Sequence, residues 1–196
     1  MTRVLCLRSI WQEVAVPEPE IPDLAALHPV VHAPLRLLVR RVFEELGLAL
    51  EVFDLWRDGA AQEAAFARGA TKRRAGQSWH NLTFPDGSPA SFAAHVRVIL
   101  PGGRYLGFGD SLLEPSNAAR RIHADIWENK LGEMLTAEHL VYTAVALKAE
   151  EIGFVSGSRW SRLQDWCHVE WHPDGATMEQ VKTVLAAHGA FGLRRA

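Results

Sequence analysis

The sequence predicts an α+β domain, a small antiparallel sheet flanked by helices. Helical stripes and strand-like alternation are interleaved along the chain, and Gly, Pro or Asp closes most runs. No internal repeat or low-complexity tract interrupts the pattern. At 196 residues, 48% hydrophobic and 22% charged, there is enough apolar material for one well-buried unit and no obvious second one.

From the N-terminus, Val16-Pro17-Glu18-Pro19-Glu20-Ile21-Pro22 is too rich in proline for a helix, so residues 1–22 are expected to form an extended arm. Asp23 is placed to cap the first helix. Apolar side chains at 35, 37, 38, 39, 42, 43 and 46 make a helical stripe over residues 35–46, stopped at Gly47. Residues 48–56 form a buried strand, and residues 60–68 a second helix ended by Gly69. Residues 71–77 make a basic, mobile connection. Residues 93–100 alternate Val96, Val98 and Leu100 with His95, Arg97 and Ile99, a strand closed by Pro101-Gly102-Gly103. Helices are expected within 116–135 and over 137–152, the latter stopped by Gly153. A short strand at 169–171 and a terminal helix at 178–188 complete the pattern.

Bulk properties exclude several classes. A formal charge of -2 gives no electrostatic case for nucleic acid or an anionic membrane as the main partner. Lys72-Arg73-Arg74 and Arg194-Arg195 are expected to be solvated surface. No apolar run is long enough to insert stably in a bilayer. The first residues lack the apolar core of a secretory signal, so the chain is expected to be cytoplasmic when synthesised. Cys6 and Cys167 are too few and too far apart for a disulfide framework. A monomer is expected.

The chemistry concentrates in two segments, Ser78-Trp79-His80-Asn81 and Asp165-Trp166-Cys167-His168-Val169-Glu170-Trp171. A carboxylate three residues ahead of a histidine sets a general base beside a metal ligand, and a histidine far upstream supplies a second ligand. Cys167 adjoins His168, but neighbouring strand residues face opposite ways, so it is expected to pack in the core. Trp160, Trp166 and Trp171 are expected to be wall and core. His139, His172 and His188 have no partner at useful spacing, and there is no His-Glu-x-x-His helix.

Trp56-Arg57, Gln62, Phe66 and Gly69 are spaced as in the zinc D-Ala-D-Ala carboxypeptidase and L-alanyl-D-glutamate endopeptidase family, which includes phage endolysins. Ser78-x-His80-Asn81 resembles that family's first ligand motif. Gly157-Ser158-Arg159-Trp160, with Asp165-x-x-His168, resembles its closing motif, and Leu24-x-x-Leu27-His28-Pro29 resembles an opening found in its endolysin branch. The resemblance covers residues 23–172, leaving 173–196 as a C-terminal helix and tail. It implies a single-domain zinc peptidase fold of the hedgehog and D-Ala-D-Ala peptidase type. It further implies Zn2+ held by His80, His168 and a second ligand between them, with Asp165 as general base and Arg57 holding the scissile carbonyl or its oxyanion. Ser78 and Gln62 are implied as substrate contacts, and His28 as structural.

The chain departs from the family at the second ligand. An aspartate is expected seven residues after the first histidine, and that position is Gly87. Either an inserted loop makes His95 the ligand, or a one-residue deletion makes Asp86 the ligand. The alternation around His95 favours it, whereas Phe84-Pro85-Asp86-Gly87 has the composition of a turn. Three histidines remain a legitimate catalytic zinc set, with one negative charge fewer than two histidines and an aspartate. The function implied is hydrolysis of peptidoglycan stem peptides, as an L-Ala-D-Glu endopeptidase or a D-Ala-D-Ala carboxypeptidase, in a phage or prophage lysis setting with release to the wall through a holin. The alternative is a degenerate member that binds wall peptides or serves as a phage structural component.

Overall fold

The computed structural model describes residues 21–99, 103, 105–106, 137–160 and 165–188. Within them lie four α-helices and one antiparallel sheet: α1 (Pro29–Arg41), β1 (Ala49–Phe53), α2 (Gly59–Ala67), β2 (Ala93–Ile99), α3 (Ala137–Ile152), β3 (Phe154–Ser156), β4 (His168–Trp171) and α4 (Met178–His188). The strand order is β1-β2-β4-β3. The expected α+β architecture is therefore present. The arm over 1–20, the helix within 116–135 and the tail beyond 188 lie outside the described residues.

Period-two alternation divides the sheet into two working faces. Leu50, Val52, Ala94, Val96, Val98 and Val169 turn to the core, where Val31, Leu35, Leu38 and Val39 of α1 and Tyr142, Val145 and Ala149 of α3 meet them. Residues between them on β1, β2 and β4, namely Phe53, His95, Arg97, His168 and Glu170, belong to the other face. His95 and His168 are direct cross-strand partners, and Phe53 is paired with His95 on the other side. The ladder thereby fixes two histidines shoulder to shoulder.

The first helix begins earlier than the apolar stripe implied. Pro29 occupies its first turn, where a missing N–H costs nothing, and the His28 ring accepts a hydrogen bond from Val30 N at 3.2 Å as the cap. Asp23 does not cap it. That residue lies in the left-handed region (φ 51°) ahead of a short 3-10 turn, Leu24–Ala26, and its side chain makes no cap hydrogen bond. At the far end the helix widens into a π-type turn, Val42–Leu46, before Gly47 ends it at φ 68°. The 71–77 connection is tied down rather than free: Gln62 Nε2 donates to Arg73 O at 2.7 Å, and Ala75 N donates to Glu63 at 2.8 Å. Lys72, Arg73 and Arg74 are exposed, as a solvated surface run requires.

His28 is buried, stacked on Phe92 with ring centroids 4.8 Å apart, and its Nε2 has no hydrogen-bond partner. Burial, assisted by the charge of His32, pushes its pKa down to about 4. The folded state therefore disfavours the protonated ring. Stability is full above the unfolded value of about 6.5 and declines as pH falls from there towards 4, by on the order of 3 kcal/mol. His28→Asn keeps a capping side chain without the titrating ring. Urea unfolding at pH 8 and pH 4.5 is expected to show a larger acid loss in the native chain than in the variant; equal losses would remove His28 from the acid response.

Candidate metal centre

Three histidines converge on the face of the sheet opposite the core. His95 comes from β2, His168 from the start of β4, and His80 from a 3-10 turn, Trp79–Asn81. Ser78 caps that turn, its side chain accepting from His80 N at 3.3 Å. Two further hydrogen bonds lock the turn to the connection between β1 and α2: Arg57 N donates to His80 O at 3.0 Å, and Asn81 Nδ2 donates to Arg57 O at 2.6 Å. All three residues are buried, none more than 4% exposed, and one ring nitrogen from each lies within 4.8 Å of the others.

The spacing suits a cation. His80 Nε2 lies 3.2 Å from His168 Nδ1, which lies 3.3 Å from His95 Nε2. Tetrahedral imidazole ligands about 2.0–2.1 Å from zinc stand about 3.3–3.4 Å from one another. Hydrogen bonds alone account poorly for the cluster, because His168 Nδ1 carries one lone pair or one proton and faces two ring nitrogens. The described residues place three buried histidines close enough to hold a metal ion.

Carboxylates surround the imidazoles. Asp165 Oδ2 lies 3.2 Å from His95 Nε2, and Asp165 Oδ1 is buried without a hydrogen-bond partner. On the far side of the same ring, His95 Nδ1 lies 3.0 Å from Asp54 Oδ2, an electrostatic contact without hydrogen-bond alignment. Burial alone would lower the His95 pKa, but these two carboxylates raise it to about 9. The Asp165 carboxyl is held below its ordinary value: burial opposes ionisation, and His95 outweighs it. His80, buried and facing the other two rings, is driven well below its ordinary value. The His95 ring thus lies between two carboxylates, an electrostatic setting that favours a cation.

Each site residue expected from the sequence has a definite place. His80, His95, His168 and Asp165 come together. Arg57 lies at the edge of the cluster, its Nε and Nη2 engaged by Asp54. Gln62 is fully buried in α2 and holds the Arg73 carbonyl, and Ser78 shapes the His80 turn. Asp86 lies elsewhere: it is exposed in a turn, where its Oδ1 accepts from Ser88 N at 2.9 Å and Ser88 Oγ at 2.6 Å. Cys167 points into the core, and burial pushes its thiol up to about 12. Trp160 leans on His168 with ring centroids 4.7 Å apart.

Three residues of the site, Asp54, Glu170 and His172, do not stand out in the sequence as site residues. His172, expected to lack a partner, does have one. Its Nε2 lies 2.9 Å from Glu170 Oε2, while Glu170 Oε1 lies 2.8 Å from His168 Nε2. The period-two spacing of 168, 170 and 172 is the signal that points to them.

Gly157 fits the backbone to this cluster. A β-carbon there would lie 2.5 Å from Asp165 O and 3.0 Å from His168 Cβ. Asp165 N also donates to Gly157 O at 3.1 Å. Gly157→Ala must therefore push the segment carrying both Asp165 and His168 away. The variant is expected to unfold about 2 kcal/mol more easily and to bind metal more weakly; unchanged denaturation and metal titration curves would contradict the close fit.

No protein-family model and no curated protein matches the chain.

Proposed function

We propose that the chain is a zinc-dependent peptidase acting on the stem peptides of bacterial peptidoglycan, as an L-Ala-D-Glu endopeptidase or a D-Ala-D-Ala carboxypeptidase. The observation that carries this reading is the buried triangle of His80, His95 and His168 with Asp165 against one corner. The motifs around Arg57, Ser78, His80, Asp165 and His168 supply the substrate class by resemblance. His80, His95 and His168 would hold the zinc, which when bound would supply Lewis acidity to a carbonyl and acidify water towards neutral pH.

The chain's own groups have separate tasks. Asp165, anionic and with Oδ1 unsatisfied, accepts the proton from the attacking water and passes it to the leaving amine. Arg57, its Nε and Nη2 held by Asp54, is the fixed cation that stabilises the negative charge of the developing oxyanion. Trp160 walls the His168 side. No helix among the described residues is long and apolar enough to cross a membrane.

The test is mass spectrometry of products after zinc-loaded protein meets purified peptidoglycan and defined muropeptides. Fragments split between L-Ala and D-Glu identify the endopeptidase, and loss of one terminal D-Ala identifies the carboxypeptidase. Absence of products across several wall chemistries would overturn the hydrolase reading in favour of a binding module.

A further inference from the structure

The outer nitrogen of His168 is held by a carboxylate that the proposed hydrolysis does not use. That ring meets Glu170 Oε1 at 2.8 Å through Nε2, while Nδ1 faces His80 and His95. The second Glu170 oxygen meets His172 Nε2 at 2.9 Å, and the His172 ring stacks on Trp79 with centroids 4.5 Å apart and planes 27° from parallel. Trp79 immediately precedes His80 in the turn. One carboxylate therefore touches the ligand from β4 directly and reaches the segment of a second ligand through two stacked rings. Its side chain is only 12% exposed, so water competes little for it.

We propose that Glu170 is the positioning residue of the metal centre: it accepts the Nε2 proton of His168, leaves the Nδ1 lone pair facing the metal, and braces the His80 turn through His172 and Trp79. The proposal rests on the metal centre of the hydrolase reading and assigns Glu170 no contact with substrate. An ionised carboxylate is only an acceptor, so a ring nitrogen hydrogen-bonded to it must carry the proton. For a neutral imidazole this leaves the other nitrogen bare. His168 is thus set for metal before any metal arrives, and the order of the ladder explains why: residues 168 and 170 lie on one face of β4, the ligand and its orienter two residues apart.

The experiment uses the full chain. In the metal-free protein, long-range proton–nitrogen NMR of the histidine rings is expected to show His168 protonated at Nε2. Protonation at Nδ1 overturns the proposal. Zinc affinity is then measured by chelator competition for the native chain, Glu170→Gln and Glu51→Gln. The last removes the carboxylate that pairs with Arg97 on the neighbouring strands and is expected to bind zinc like the native chain. Glu170→Gln, which preserves shape, is expected to bind 10–100-fold more weakly. Equal affinity of Glu170→Gln and the native chain overturns the proposal, as does an equal fall in Glu51→Gln. A native chain that takes no zinc while His168 is protonated at Nε2 overturns the hydrolase reading and leaves the hold of Glu170 on the ring standing.

Discussion

Asp165→Asn is expected to lower kcat/KM on a cleavable muropeptide by about 10²–10⁴-fold while zinc content stays at that of the native chain. The amide has nearly the shape of the carboxylate, so the packing around residue 165 survives. It cannot take a proton from water, and the step in which the leaving amine receives one fails with it. The geometry makes the zinc measurement decisive. Asp165 Oδ2 touches His95 Nε2 at 3.2 Å, yet Asp165 is not a member of the mutually close set formed by the three histidines. A base beside the site and a ligand within it differ in what their loss does to the metal. If Asp165→Asn sheds zinc together with activity, Asp165 is a fourth ligand, and a site closed by four protein groups is structural rather than catalytic. If the variant keeps both zinc and full activity, the proton shuttle lies elsewhere.

The legible parts of this molecule are those in which one periodicity acts alone. Alternation over 93–100 marks β2, and Gly47 and Gly153 mark the ends of helical runs correctly. The start of α1 is hidden because its cap is a histidine and its first turn contains Pro29, with Pro34 a turn later, so the apolar stripe alone begins too late. Asp23 has a capping side chain by composition, but its backbone adopts a left-handed conformation that aims it elsewhere. The three clustered histidines are legible by two different signals: the motifs resembling the peptidase family pick out His80 and His168, and the alternation over 93–100 picks out His95, where that family's spacing falls on Gly87 instead. Asp54 is not, since its place arises from strand register: Phe53 faces His95 across the ladder, which brings the residue after it to the outer nitrogen of that ring. Glu170 shares a strand face with His168 and His172, a period-two signal that gives the common face and not the contact. Asp54 also bends out of β1 at φ 49°, a conformation that aspartate tolerates better than most residues and that sequence does not display. Gln62 matches a motif that implies substrate contact, whereas burial in α2 gives it a carbonyl to hold.

His95→Ala is expected to bring bound zinc to background and to abolish hydrolysis, whereas Asp86→Ala keeps both. Neither outcome depends on the other variant folding differently. Residues 83–89 form a small hairpin tip, with Thr83 bridged to Pro89 and Gly87 N donating to Phe84 O at 2.9 Å. Removing the Asp86 carboxylate there costs only its local bonds to Ser88. At His95 the change reaches three groups at once. The ring contributes one of three convergent nitrogens and lies between the Asp165 and Asp54 carboxylates. Without the ring, Asp165 Oδ2 loses its His95 contact, whereas Asp54 keeps its pairing with Arg57. Metal content measured by plasma mass spectrometry, together with product formation, decides between the two positions. Zinc lost from Asp86→Ala and retained by His95→Ala would move the second ligand into the turn and show that the inserted-loop alignment places the wrong residue in the site.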